Sequence, residues 1–228
     1  MVKAVIFDFD GTLVDFIDTD IECLKLILKK TGAQVEPDEF ADRAISHIIA
    51  FHELVDSGEV NPLNLHHYRL SHTFNDFGIS WDKSFVDYYK QLLLERTNPY
   101  KNVSDLLTYL HDKVKLGILT NAYDPVMQTK RVQASGLSTF FGIIQISGEE
   151  KYAKPDPEAF HLICNRLNNR PEECIFIGDS PRYDIDGAIA AGLKTILIHG
   201  EIADSSVNPD YRVGSIEELK PVLRKLIL

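Results

Sequence analysis

The chain has 228 residues, 44% of them hydrophobic and 25% charged, and carries a formal net charge of −10. That is the make-up of a soluble globular protein of one large or two small domains. The acidic balance excludes nucleic acid as the main partner, because phosphate backbones are met by basic faces. No apolar stretch approaches the length of a membrane span, and the apolar N-terminus reaches Asp8 too soon for a signal peptide. Cys23, Cys164 and Cys174 have no Cys-x-x-Cys spacing, so buried thiols in a reducing cytoplasmic setting are expected rather than a disulfide or a zinc site.

In chain order, Val2 to Phe9 reads as a buried strand, rich in β-branched and aromatic residues. Asp8 and Asp10 end it, and alternation along a strand predicts that both emerge on one side. Gly11 then turns the backbone. Residues 18–30 predict a helix, with Ile21, Leu24, Ile27 and Leu28 at helical spacing and Gly32 as its stop. Further helices are expected over 37–55, 64–77 and 81–96.

From about Pro99 the pattern becomes alternating. Helices are expected at 104–112, 125–135, 156–167 and 185–191, and strands at 114–119, 142–147, 174–177 and 194–199. Ser215-Ile216-Glu217-Glu218 fits a capping box opening a last helix. Repeated strand–helix alternation predicts an α/β fold with a doubly wound parallel sheet, a Rossmann-like core. The first strand must join that sheet. Residues 1–15 and 99–228 therefore form the expected catalytic core, and 16–98 a helical cap domain inserted after the first strand.

In such a sheet, ligands sit outside the carboxyl ends of the strands. Asp8 and Asp10 end the first strand, Thr120 and Asn121 the second, and Asp179 the fourth, while Lys154 follows the third. Three carboxylates, a hydroxyl and a lysine on one rim suit phosphoryl transfer. A carboxylate, which titrates near ~3.9, is ionised at neutral pH and can attack phosphorus directly. Mg²⁺ held by Asp8, Asp10 and Asp179 offsets the repulsion, and the lysine and hydroxyl stabilise the spreading charge. A second carboxylate can protonate the leaving alkoxide and then deprotonate the attacking water.

These residues also carry a resemblance. The chain resembles the haloacid dehalogenase superfamily through four ordered motifs: Asp8-Phe9-Asp10-Gly11-Thr12-Leu13-Val14-Asp15, Leu119-Thr120-Asn121, Lys154-Pro155-Asp156-Pro157, and Gly178-Asp179-Ser180-Pro181-Arg182-Tyr183-Asp184. The helical insertion resembles that family's first type of cap by position. The resemblance implies Asp8 as nucleophile and metal ligand. Asp10 becomes the general acid and base, giving its backbone carbonyl to the metal. It also implies Thr120 as a phosphoryl hydrogen-bond donor aided by the backbone N–H of Asn121, Lys154 as the neutralising cation, Asp179 as a Mg²⁺ ligand, and Asp184 as support behind the metal.

An acid at position 10 disfavours dehalogenation, since a departing halide needs no proton. The expected activity is a Mg²⁺-dependent phosphatase acting on a small phosphorylated metabolite through an aspartyl-phosphate, in a monomer or homodimer. A phosphomutase with the same chemistry is the alternative, weakened by the lack of an Arg-Gly-centred cap segment. A phosphate-binding or phosphoacceptor module without turnover is another. The cap carries His47, His52, His66, His67 and His72 with Arg43 and Arg69. These are either substrate-recognition groups or an ordinary solvated helical face. Ser147-Gly148-Glu149 is either an orienting group for Lys154 or a simple turn.

Overall fold

The computed structural model describes residues 1–199 and 208–227. In chain order its elements are β1 (Ala4–Phe7), α1 (Phe16–Thr31), α2 (Pro37–Asp56), α3 (Leu65–Asp76), α4 (Ser84–Arg96), α5 (Val103–His111), β2 (Lys115–Thr120), α6 (Pro125–Ala134), β3 (Ile143–Ile146), α7 (Pro157–Arg166), β4 (Cys174–Gly178), α8 (Gly187–Ala190), β5 (Lys194–Ile198), β6 (Tyr211–Val213) and α9 (Ile216–Ile227). The helices α1–α5 lie between β1 and β2. The chain divides into two compact units, one of Met1–Asp15 with Asn98–Leu228, the other of Phe16–Thr97. Among the described residues no helix is long and apolar enough to cross a membrane, and Cys23, Cys164 and Cys174 are buried free thiols.

The first unit holds one parallel sheet in the order β3-β2-β1-β4-β5-β6. Alternation along its strands splits the apolar side chains between two cores. Val5, Phe7, Leu116, Ile118, Ile175, Ile177, Ile196 and Ile198 pack with α5 and α9 on one face. Ala4, Ile6, Leu119, Cys174 and Phe176 pack with α7 and α8 on the other. Burying both faces is what commits the strands to a parallel, helix-covered sheet. The winding reverses at β1, whose neighbours are β2 and β4, with Phe7 level with Ile118 and Ile177. The segments after these strands thus emerge side by side at the switch point.

Three local features differ from the sequence reading. The first strand ends at Phe7, so strand alternation does not extend to Asp10, which lies in the turn beyond it. The segment expected to be one helix from Ile185 begins instead as a wide π-type turn, Pro181–Asp186, followed by the short α8. β6 has no periodic signature to read, being a three-residue edge strand in which only Val213 is buried.

The second unit is helical and has a polar centre. Asp20 of α1 accepts from Arg69 Nη1 at 3.0 Å and Nη2 at 2.6 Å, with Arg69 on α3. Tyr89 of α4 donates its hydroxyl to the same carboxylate. All three residues are buried. Asp20, with the Tyr89 hydroxyl beside it, holds the Arg69 guanidinium protonated against the cost of burial, and burial with Asp20 beside it pushes the Tyr89 phenol well up. One carboxylate thereby ties three helices together.

Arg69→Met strands a buried carboxylate and should cost about 3–5 kcal/mol of cap stability. Replacing both charges, with Asp20→Leu and Arg69→Met, should recover most of it. Trp81, the only tryptophan, stacks on Phe74 within this unit, so its fluorescence during urea unfolding reads both variants.

Candidate active site

The site is assembled from the segments that follow β1, β2, β3 and β4. Past Phe7 the backbone N–H of Asp8 donates to Ile177 O at 2.9 Å, carrying the β1–β4 ladder one step further. Gly11, at φ +80°, then folds the chain back so that its N–H reaches Val14 O at 2.9 Å. The side chain of Asp8 is buried against Lys154, whose Nζ donates to Asp8 Oδ1 at 2.6 Å and to Asp184 Oδ1 at 2.6 Å.

Two neighbours hold Lys154 in place. The Asn121 side chain, just past β2, grips its backbone from both sides, donating to Lys154 O at 2.8 Å and accepting from Lys154 N at 3.0 Å. Asp156 caps α7 by accepting from Glu158 N at 2.9 Å, with Pro157 in the first turn. The Lys-Pro-Asp-Pro stretch is thus both a helix start and the mount for a buried ammonium. Ser147 is engaged elsewhere, accepting from Ala122 N at 3.1 Å.

Asp179 and Asp184 complete the cluster. One carboxylate oxygen from each of Asp8, Asp179 and Asp184 lies within 4.8 Å of the others. The π-type turn after β4 brings Asp184 back to the strand end, where its Oδ2 accepts from Ser180 N at 2.9 Å. Glycines make the room. A Cβ at Gly178 would stand 2.3 Å from Asp184 Oδ2, and one at Gly11 would stand 2.4 Å from Asp179 Oδ2. Thr12 donates to Asp179 Oδ1 at 3.1 Å.

The electrostatics of this cluster call for a cation. Burial raises Asp8 well above the usual carboxylate range; Lys154 opposes the rise, and the charges of Asp184 and Asp179 add to it. Burial and then the charge of Asp184 push Asp179 up to about 6. Lys154 is held protonated against burial by Asp184 and Asp8. One lysine among three carboxylates leaves a surplus of negative charge, and the donors are hard oxygens. That set fits a small divalent cation.

Asp10 belongs to a second group. Its Oδ2 accepts from Gln128 Nε2 at 2.7 Å and from Arg131 Nη1 at 2.9 Å, and Arg131 Nη2 stands 2.6 Å from Oδ1. Gln128 Nε2 is also 3.1 Å from Thr120 Oγ1, and Gln128 Oε1 accepts from Arg131 Nη1 at 2.9 Å. Thr120, at the end of β2, is buried. Asp124 caps α6 by accepting from Met127 N at 3.0 Å.

The sequence reading did not single out Gln128 or Arg131. Their signal is a Gln and an Arg three residues apart, hence on one helical face, directly after the Thr120-Asn121 pair. It also expected Asp184 to support the metal site from behind; in the structure its Oδ1 accepts from Lys154 and its Oδ2 from Ser180, close to Asp8 and Asp179. Of the cap's basic groups, Arg69 is committed to Asp20. His47 lies 2.9 Å from Asp76, and Arg43 lies 3.6 Å from the same carboxylate.

Comparison with known proteins agrees with this geometry. The family model described as haloacid dehalogenase-like hydrolase matches residues 2–192. The N-acylneuraminate-9-phosphatase of Mus musculus is 30% identical over 238 residues, 99% of this chain and 95% of its own. The pyrimidine 5'-nucleotidase PynA of Streptococcus pneumoniae is 29% identical, covering 99% of this chain and 97% of its own. Among solved structures, the magnesium-bound HAD-hydrolase YfnB of Bacillus subtilis superposes with a TM-score of 0.82 at 25% identity, over 97% of this chain and 98% of that one. The chain with these carboxylates at its strand ends belongs to the haloacid dehalogenase-like hydrolases.

Proposed function

We propose that the chain is a Mg²⁺-dependent phosphatase that cleaves a small phosphomonoester through an aspartyl-phosphate on Asp8. The observation that carries this reading is the pair of carboxylates with different partners. Asp8 sits in a cation-seeking cluster beside Lys154, and Asp10 sits apart, held by α6. A phosphate ester needs both a nucleophile and a proton donor, because its alkoxide leaves poorly unprotonated. Relatives named as phosphatases and a nucleotidase, matched along nearly the whole chain, support the same class.

An oxygen of Asp8 attacks phosphorus, and the bond to the ester oxygen breaks with its electron pair. Asp10 gives its proton to that oxygen, and the alcohol leaves. Asp10, now ionised, takes a proton from water as the water oxygen attacks phosphorus. The Asp8–phosphorus bond breaks, and the Asp8 carboxylate is restored with release of phosphate. Lys154 neutralises Asp8 and the phosphoryl oxygens, and Thr120 hydrogen-bonds the phosphoryl group. Asp8, Asp179 and Asp184 would hold Mg²⁺, which supplies positive charge against the dianionic phosphate when bound.

Phosphate release from a panel of sugar phosphates, nucleoside monophosphates and organic acid phosphates, with and without Mg²⁺, tests the assignment. Metal-dependent turnover is expected from wild type and none from Asp8→Asn, while Asp10→Asn should lose about 10²–10⁴-fold. No turnover of any ester by a folded, Mg²⁺-binding protein would overturn it.

Stability gives a second test. Burial and the charge of Asp184 push Asp179 up to about 6, against roughly 3.9 in an unfolded chain. The folded state binds the extra proton between these values, so stability falls by roughly 3 kcal/mol as pH rises through that window. Binding a cation requires the ionised form and reverses the loss. The rise in Tm on adding Mg²⁺ should therefore be larger at pH 7.5 than at pH 5, and Asp179→Asn should flatten the difference. Equal shifts at both pH values would show that Asp179 does not take part.

A further inference from the structure

Outside the carboxylate cluster, the most highly organised polar group in this unit is the one α6 builds around Asp10. Gln128 and Arg131 are each only 4% exposed, although long polar side chains on a helix ordinarily reach solvent. The Arg131 guanidinium lies 5.6 Å from the centre of the Phe9 ring, beside the residue it grips. It meets Asp10 with two nitrogens, the fork geometry that fixes a carboxylate's direction as well as its charge. The Asp10 side chain keeps about a quarter of its surface open, 25%, against 4% for Arg131. The clamp is therefore the fixed, buried member of the pair, and Asp10 the partly exposed one.

Gln128 adds a second constraint. Its amide nitrogen donates to Asp10 and lies within reach of Thr120, and its amide oxygen accepts from Arg131. Asp10, on the segment after β1, and Thr120, at the end of β2, are thus tied to one helix face. A carboxylate that carries a proton to a leaving oxygen and later takes one from water must occupy one position relative to the phosphoryl group. An unrestrained Asp on a glycine-bearing turn has no such position.

We propose that Arg131 and Gln128 are positioning residues for the acid–base steps. They hold the Asp10 carboxylate in register with the Thr120 phosphoryl contact and leave the attack by Asp8 untouched. The inference rests on the phosphatase reading above. In the first half-reaction the proton of Asp10 goes to the ester oxygen as its bond to phosphorus breaks. In the second, a water proton goes to Asp10 as the new phosphorus–oxygen bond forms and the Asp8–phosphorus bond breaks. Both transfers depend on where Asp10 stands. A phenolate that leaves without a proton removes that dependence from the first half-reaction alone.

Arg131→Met, Arg131→Lys and Gln128→Met, each checked for folding by circular dichroism and melting, are compared with wild type and Asp10→Asn. The substrates are an alkyl phosphate, phenyl phosphate and p-nitrophenyl phosphate. Arg131→Met should lower kcat on the alkyl phosphate by about 10–100-fold. The first-turnover burst of p-nitrophenolate should stay within about threefold of wild type. Phosphoenzyme should accumulate in an acid quench, because its hydrolysis still needs Asp10 as base. Arg131→Lys should recover part of the loss, and Gln128→Met should show the same pattern at smaller size.

An equal slowing on all three esters, with no accumulated phosphoenzyme, would overturn the inference, since a merely structural role predicts that. If Arg131→Met does not fold, Arg131→Lys and Gln128→Met carry the same readouts and decide the question by the same outcomes. Wild-type turnover with a leaving-group effect in Asp10→Asn but in none of the α6 variants overturns this inference alone. Absence of wild-type turnover overturns the phosphatase reading and this inference with it.

Discussion

The structure at the strand ends depends on one buried ammonium. Lys154 Nζ lies 2.6 Å from Asp8 and 2.6 Å from Asp184, and without it three carboxylates would face one another in a region of low dielectric. Two charges at 4 Å in such a setting interact by about 4 kcal/mol even at an effective dielectric of 20. Much of the surrounding architecture keeps this nitrogen in place. Asn121 clamps its backbone, Asp156 starts the helix that follows, and the π-type turn returns Asp184 to meet it. Asp179 is left with Thr12 as its side-chain partner, and a divalent cation would complete the neutralisation.

The sheet makes this crowding possible. Because β1 lies between β2 and β4 with their ends level, residues far apart in sequence reach one rim with no loop long enough to blur their positions. Gly11 and Gly178 are glycine for a related reason. The carboxylates of Asp179 and Asp184 occupy the space a Cβ would take. The apolar alternation on the two faces fixes the sheet, and the polar segments beyond its carboxyl edge fix the chemistry.

Legibility from sequence followed signal strength. Asp8, Asp10, Thr120, Asn121 and Asp179 stand out because each ends an apolar run, and Lys154 because it opens the Lys-Pro-Asp-Pro stretch ahead of a helix. Apart from the three-residue β6, the strands and helices of the core were readable from their periods to within a few residues. The wide turn at Pro181–Asp186 was not, since one extra residue in a turn leaves no mark on a helical pattern. Gln128 and Arg131 were hidden for the opposite reason. On an exposed helix Gln and Arg three apart are commonplace, and only burial against Asp10 distinguishes them. Arg69 was misleading in the same way, a basic residue on a cap helix whose charge is committed to Asp20.

The fold by itself does not choose the reaction. A doubly wound sheet is a scaffold on which different chemistries are mounted beyond the strand ends. What separates a phosphate ester from a carbon–halogen bond is the leaving group. Halide departs as a stable anion, whereas an alkoxide must be given a proton. On the phosphatase reading, the requirement falls on a second carboxylate two residues after the first. A carboxylate on a turn has too much freedom to serve that purpose unaided, and in this chain the restraint comes from the helix after β2. On the phosphatase reading, the acid–base group and its clamp are separate additions to the nucleophile that the first strand presents.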